Sequence, residues 1–164
     1  MQLVQVTKRL GKPWKFIIYG FLGWCVEVVF TSVAAQVEGN GDLRLQGHSY
    51  LWMHPIWGLG LLVCAECGSW LREKRIPFWA RIVFYAMISF AVEYSSGWLL
   101  RHTLGQCPWD YSNAAWNIHG LIRLDYAPFW GVGGLLAERI SLFLRRVEIR
   151  VDVPSLGMKS SQAD

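Results

Sequence analysis

Two glutamates stand where so apolar a sequence has least use for them. Glu27 and Glu93 each interrupt a run of about 20 mostly hydrophobic residues, 16–35 and 78–100. Each lies about 11 residues or more into its run. At ~1.5 Å per residue both reach the middle of a hydrocarbon layer roughly 30 Å thick. A charge there costs roughly 2.5–3.5 kcal/mol on insertion scales, so such an acid faces a bundle interior or a cavity. Helical spacing agrees. Gly20, Gly23, Glu27 and Thr31 share one stripe, and Ala86, Ser89, Glu93 and Gly97 share the equivalent one. Small residues let helix backbones approach closely. Carboxyls so placed can bind a proton, a cation or an amine. They can also serve as structural glue, hydrogen-bonding across helices in protonated form. Both readings stand on the residues, and the duplication of the acid leans toward function.

Four apolar stretches must position these acids: residues 16–35, 49–70, 78–100 and 124–144. Each is long enough to span a bilayer. The chain is 53% hydrophobic and 17% charged, against about 25% charged in soluble domains, and many of its ten tryptophans lie near the ends of the apolar runs. That is where amphipathic rings meet headgroups. The expected fold is all-α, a polytopic membrane protein of four transmembrane helices. It divides into a basic cytoplasmic N-terminus (1–15), a four-helix transmembrane domain (16–144) and a basic, then disordered, cytoplasmic tail (145–164).

The net charge of +4 is a topology signal. Lys8, Arg9, Lys12 and Lys15 precede the first run. Arg72, Lys74, Arg75 and Arg81 surround the middle loop, and Arg145, Arg146 and Arg150 follow the last run. Every second loop is basic, as four spans with both termini inside require. The lipid bilayer, its anionic headgroups included, is thus the expected partner, the plasma membrane the expected location, and nucleic acid is excluded. Ser32-Val33-Ala34-Ala35 resembles a signal cleavage site. Glu27 inside the run, and a counterpart of the run later in the chain, argue against cleavage.

The chain reads as a duplication. At an offset of about 73, Gly47, Leu51, Pro55, Trp57, Gly58, Gly60 and Leu62 meet Gly120, Leu124, Pro128, Trp130, Gly131, Gly133 and Leu135. At an offset of about 66, Tyr19, Val26 and Glu27 meet Tyr85, Val92 and Glu93. A two-helix hairpin repeated in one orientation implies a pseudo-two-fold along the membrane normal.

Other residues add weaker signals. Pro55 and Pro128 would free the carbonyls of Leu51 and Leu124 and kink the second and fourth spans. Broken helices at matching places in two repeats point to a binding site, with Trp57 and Trp130 in its walls. In the loop of residues 106–120, Trp109, Asp110 and Asn117 could bind a headgroup. The more ordinary reading is a turn in which Asp and Asn bond their own backbone. Arg123 and Asp125 could hold a phosphate or pair with each other. Glu66, Glu138, Arg139 and Arg72 read as ion pairs at the opposite end. Cys64-x-x-Cys67 has no second pair and reads as packing rather than metal ligation. The histidines lack metal-ligand spacing, and neither a phosphate loop nor a dinucleotide fingerprint is present. No metal and no cofactor is expected.

Residues 93–100 (E-Y-x2-G-W-L-L), W-D-Y-S from Trp109, N-I-x-G from Asn117, F-W-G from Phe129 and G-W-C-V-E-V-V-F at 23–30 carry a resemblance. The chain resembles the CmpB-type "putative ABC-transporter permease" family of bacteria and is similar to the vertebrate transmembrane protein 229 family. Cys107-Pro108 and Ala137-Glu138 lean toward the second. The resemblance runs from Phe16 to about Leu144 and implies transport, although the internal basic loop is short for gripping an ATPase.

The expected function is that of a multi-pass, permease-like membrane protein that binds or moves a small solute, ion or lipid at Glu27 and Glu93 and works as a homo-oligomer. A non-catalytic membrane subunit is the alternative. A lipid-modifying enzyme using Asp110, Arg123 and Asp125, with Tyr111 or His119 as proton donor, is a third.

Overall fold

A computed structural model describes residues 3–154 of the chain. Among these residues four α-helices dominate: α1 (Lys12–Val37), α2 (Met53–Glu73), α3 (Phe78–Leu104) and α4 (Ala127–Leu144). Prolines start three of them. Pro13 and Pro128 lie in the first turns of α1 and α4, and Pro77 caps α3. Proline is at home there because its missing N–H would have had no helical partner. Helix α3 ends at Gly105, whose φ of +74° closes the last turn in the left-handed region.

The helix starts correct the kink expected at Pro55 and Pro128. Pro55 is the third residue of α2 and Pro128 the second of α4, so neither interrupts a helix. The Leu51 carbonyl keeps a partner, the N–H of His54 at 3.3 Å. Residues 49–52 belong to the preceding loop, and residues 124–126 to a short 3-10 turn. The apolar runs thus overstate both helices at their starts.

Helix α1 packs on α2, α3 on α4, and α2 meets α4 between the pairs. Glycines make the close approaches. A side chain at Gly23 would enter the Trp57 ring, one at Gly58 would meet Phe16, one at Gly131 Ile82, and one at Gly134 Tyr85. Gly58 against Phe16 and Gly131 against Ile82 stand at matching positions of the two hairpins. Two core clusters are likewise exchanged. Tyr19 packs with Ala65 and Leu144, while Tyr85 packs with Leu71, Cys64 and Ala137.

One polar knot sits in this core. Glu138 of α4 is 1% exposed. It lies 2.6 Å from Arg72 of α2 and 2.6 Å from Arg81 of α3, and it accepts the Tyr85 hydroxyl. Glu66 pairs with Lys12 at 3.4 Å.

Helices α1 and α3 are long and apolar enough to cross a membrane. Helices α2 and α4 carry Glu66 and the Glu138-Arg139 pair among their apolar residues. The outer faces of the bundle expose Phe21, Val29, Val33, Val83, Met87, Leu136 and Phe143, apolar surface that a water-soluble bundle keeps small.

Two antiparallel strand pairs were not foreseen. The two-residue strands β2 (Asn117–Ile118) and β3 (Ile122–Arg123) form a hairpin before α4. Near the ends of the chain, β1 (Leu3–Arg9) pairs with β4 (Glu148–Pro154), Leu3 opposite Pro154 and Arg9 opposite Glu148. Disorder is expected after Arg150, yet the strand runs on to Pro154. Both segments are rich in β-branched residues, which favour extended pairing. The rest of the expected tail, 155–164, lies outside the described residues.

Candidate functional site

Glu27 on α1 and Glu93 on α3 line the same chamber, a cavity of about 260 Å³. The packing glycines bring them there. With no side chain at Gly23, the Trp57 ring lies directly against α1. Its indole N–H then donates to Glu27 Oε2 at 2.7 Å. Trp130 of α4 lies against Trp57 with ring centroids 5.3 Å apart. Tyr111 reaches down from the loop above, and its hydroxyl donates to Glu93 Oε1 at 3.2 Å.

The Glu93 side of the chamber is less tightly bonded. Glu93 is 8% exposed, and among the described residues neither its Oε2 nor the Trp130 indole N–H finds a hydrogen-bond partner. The two groups stand close to each other across the chamber without a regular hydrogen bond, and a buried polar atom so left costs about 1–3 kcal/mol. Its remaining walls are mostly aromatic, with Phe30, Tyr50, Tyr126 and Phe129, and neither lysine nor arginine lines it. Three carboxyls, those of Glu27, Glu93 and Asp110, among aromatic rings suit a cation, because ring faces attract positive charge.

Two loops at this end of the bundle make the roof. Residues 38–52 fold back along α1. The Thr31 hydroxyl donates to the His48 carbonyl at 2.9 Å and accepts the His48 N–H at 2.9 Å, and the Trp24 indole donates to the Tyr50 carbonyl at 2.9 Å. Gly47 touches the α1 backbone at the Val28 carbonyl. In the second loop the W-D-Y-S and N-x-x-G motifs bind each other. Asp110 Oδ1 accepts the Ser112 N–H at 3.0 Å and its hydroxyl at 2.6 Å. Asn117 Oδ1 accepts the Gly120 N–H at 2.9 Å. The Tyr111 N–H donates to the Gly120 carbonyl at 2.9 Å, and the Trp109 indole to the Leu121 carbonyl at 2.9 Å. Gly120, at φ +67°, has Ser112 and Asp110 where a side chain would go.

Of the residues singled out in the sequence, Glu27, Glu93, Trp57, Trp130, Trp109 and Asp110 line the chamber together. Asn117, Arg123 and Asp125 do not. Asn117 ties its own loop. Arg123 Nε pairs with Asp125 at 2.9 and 3.0 Å, and its guanidinium stacks on Tyr126 with 4.5 Å to the ring centroid. Through Tyr126, a chamber residue, this pair acts as a buttress. Sequence reasoning missed Tyr111 as a partner of Glu93, and Phe30, Tyr50, Tyr126 and Phe129 as chamber walls. W-D-Y-S was the available signal for Tyr111, since its aspartate turn aims the next side chain inward.

The loop acids respond to these contacts. The Ser112 hydroxyl and N–H hold the Asp110 carboxyl below the usual range, and the Arg123 guanidinium does the same for Asp125. Burial, and then the neighbouring Glu93, push the Tyr111 phenol up, which keeps it a donor. For carboxyls held low in the folded state, the stabilisation is present above the ordinary value of ~3.9 and is lost as pH falls below it. Acidification through that range should therefore loosen the loop before the helices melt. Tryptophan fluorescence should shift ahead of helical circular dichroism. Coincident transitions would contradict this, as would an unchanged profile in Asp110→Asn, Asp125→Asn.

A sequence model of the family described as "Putative ABC-transporter type IV" matches residues 14–152. The match begins in the first turn of α1 and continues past α4 into β4. No solved structure matches the chain.

Proposed function

This chain belongs to the family described as "Putative ABC-transporter type IV", and from that premise we propose that it is a four-span membrane protein that binds, and moves, a small cation between Glu27 and Glu93. One observation carries the reading. A buried carboxylate oxygen of Glu93, without a regular hydrogen bond, faces an aromatic chamber that also contains Glu27 and Asp110, with His48 as its one basic side chain and neither lysine nor arginine.

Several features support the setting. The apolar outer faces suit lipid. The pairing of β1 with β4 holds both ends of the described chain together, which supports an even number of crossings. The basic loops favour a cytoplasmic position for those ends. Exchange of the Tyr19 and Tyr85 clusters between hairpins favours the duplicated design. Location in the plasma membrane and assembly with further copies belong to the same proposal, because four helices enclose little volume.

The test uses the protein in lipid nanodiscs with tetramethylammonium as probe. Calorimetry should show binding to the parent that weakens at least tenfold in Glu93→Gln and in Glu27→Gln, with helicity and elution unchanged. A parent that ignores the probe, or variants that bind it equally well, would sink the reading. Co-purification of a stoichiometric protein partner instead would move the chain to the role of a non-catalytic subunit.

A further inference from the structure

Beside the chamber lies a second cavity of about 290 Å³, open toward the outer surface and lined almost wholly by apolar side chains, among them Leu22, Val26, Val132 and Leu136. The two cavities share Met53, Trp57, Glu93, Phe129 and Trp130. Glu93 is thus the one acid in the wall between a chamber fit for a positive head and a cleft fit for hydrocarbon. Val26, Val132 and Leu136 are exposed on the bundle surface, so the cleft opens sideways.

From this continuity we infer that the ligand is a single-chain amphiphile with an ammonium head. The head lies among Glu27, Glu93 and the aromatic rings, and the alkyl chain lies in the cleft between α1 and α4. The inference rests on the cation reading and adds the chain and a lateral route in. Charge selects the occupant. An ordinary phospholipid would bring its phosphate toward two glutamates with neither lysine nor arginine in the chamber to receive it. A single-chain ammonium brings only the complementary charge.

Two glycines make the idea testable. Gly60 and Gly133 both line the cleft. A side-chain carbon at Gly133 would meet nothing within 4 Å, and one at Gly60 would meet only Val92, at 3.7 Å. Leucine at either position should fill the cleft without disturbing the helix contacts.

The experiment compares tetramethylammonium with decyltrimethylammonium, below its micellar concentration, in nanodiscs containing the parent, Gly133→Leu, Gly60→Leu or Glu93→Gln protein. Each buried methylene should tighten binding about fourfold. The decyl probe should therefore bind the parent at least tenfold more tightly than the short one. Gly133→Leu and Gly60→Leu should erase that advantage and leave tetramethylammonium binding intact, while Glu93→Gln should weaken both probes. Equal affinities in the parent, or a chain-length advantage that survives both leucine variants, would overturn the amphiphile and leave the cation site standing. A two-chain phospholipid retained on the parent in native mass spectrometry, and not displaced by the decyl probe, would also overturn it. Failure of tetramethylammonium itself would instead strike the cation reading.

Discussion

Glu138→Ala should cost about 3–5 kcal/mol of stability, the usual result of removing one partner from a buried ion pair. Glu138 faces two guanidiniums, Arg72 and Arg81, each at 2.6 Å, and ties α2 and α3 to α4. Alanine would leave two cations side by side in a site meant for three charges, and would strip the Tyr85 hydroxyl of its acceptor. Thermal unfolding should fall by about 10 °C. Glu138→Gln should lose less, since its amide oxygen still accepts. The combined Arg72→Met, Arg81→Met, Glu138→Leu variant should recover much of the loss, because well-packed apolar side chains often replace a buried ion network without penalty. An alanine variant that melts within a degree or two of the parent would show that the knot contributes no net stability.

The sequence alone placed Arg72 and Glu138 at one end of the bundle. It set Arg81 beside the same loop but did not join it, or Tyr85, to Glu138, because both reach that acid only through the packing of α3 on α4. The acids of the chamber were more legible. Small residues one helical turn apart marked the face carrying Glu27 and Glu93, and the repeat pointed to Trp57 and Trp130. The helix starts were read too early because hydropathy does not separate a helix from an apolar loop lying along it. Tyr50, Leu51 and Trp52 belong to such a loop. The β1–β4 ribbon was missed for a different reason. Its strands lie at opposite ends of the described chain, and nothing local identifies the partner. Asp110 and Asn117 were weighed as turn formers or headgroup ligands, and their hydrogen bonds are those of turn formers.

Gly47→Ala should have the second large effect. Its new methyl would fall on the Val28 carbonyl oxygen. Both sides of that contact are backbone, so no rotamer change relieves it. The loop of residues 38–52 must lift from α1, straining the Thr31–His48 hydrogen bonds and moving Tyr50 out of the chamber wall. Overpacking that forces backbone movement costs about 1–3 kcal/mol, and the upper end applies here. Gly133→Ala is the matched control, since its methyl enters open space. Melting should fall in the first variant only, and tetramethylammonium binding should weaken with it. A Gly47→Ala protein that matches the control in both measurements would mean that the loop does not need its contact with α1.

The ribbon joining the two ends also orders events during synthesis. Strand β1 leaves the ribosome before all four helices and β4 after them, so β1 must wait for the whole bundle to be made before it can pair. Closing so long a loop adds entropy cost only slowly with length, and the wait is set by translation rather than by chain search. During that interval β1 is an open edge, the kind of strand that recruits other chains. A truncated product lacking β4 would keep that edge permanently exposed, so the pairing distinguishes a chain made through the bundle and β4 from one abandoned before it.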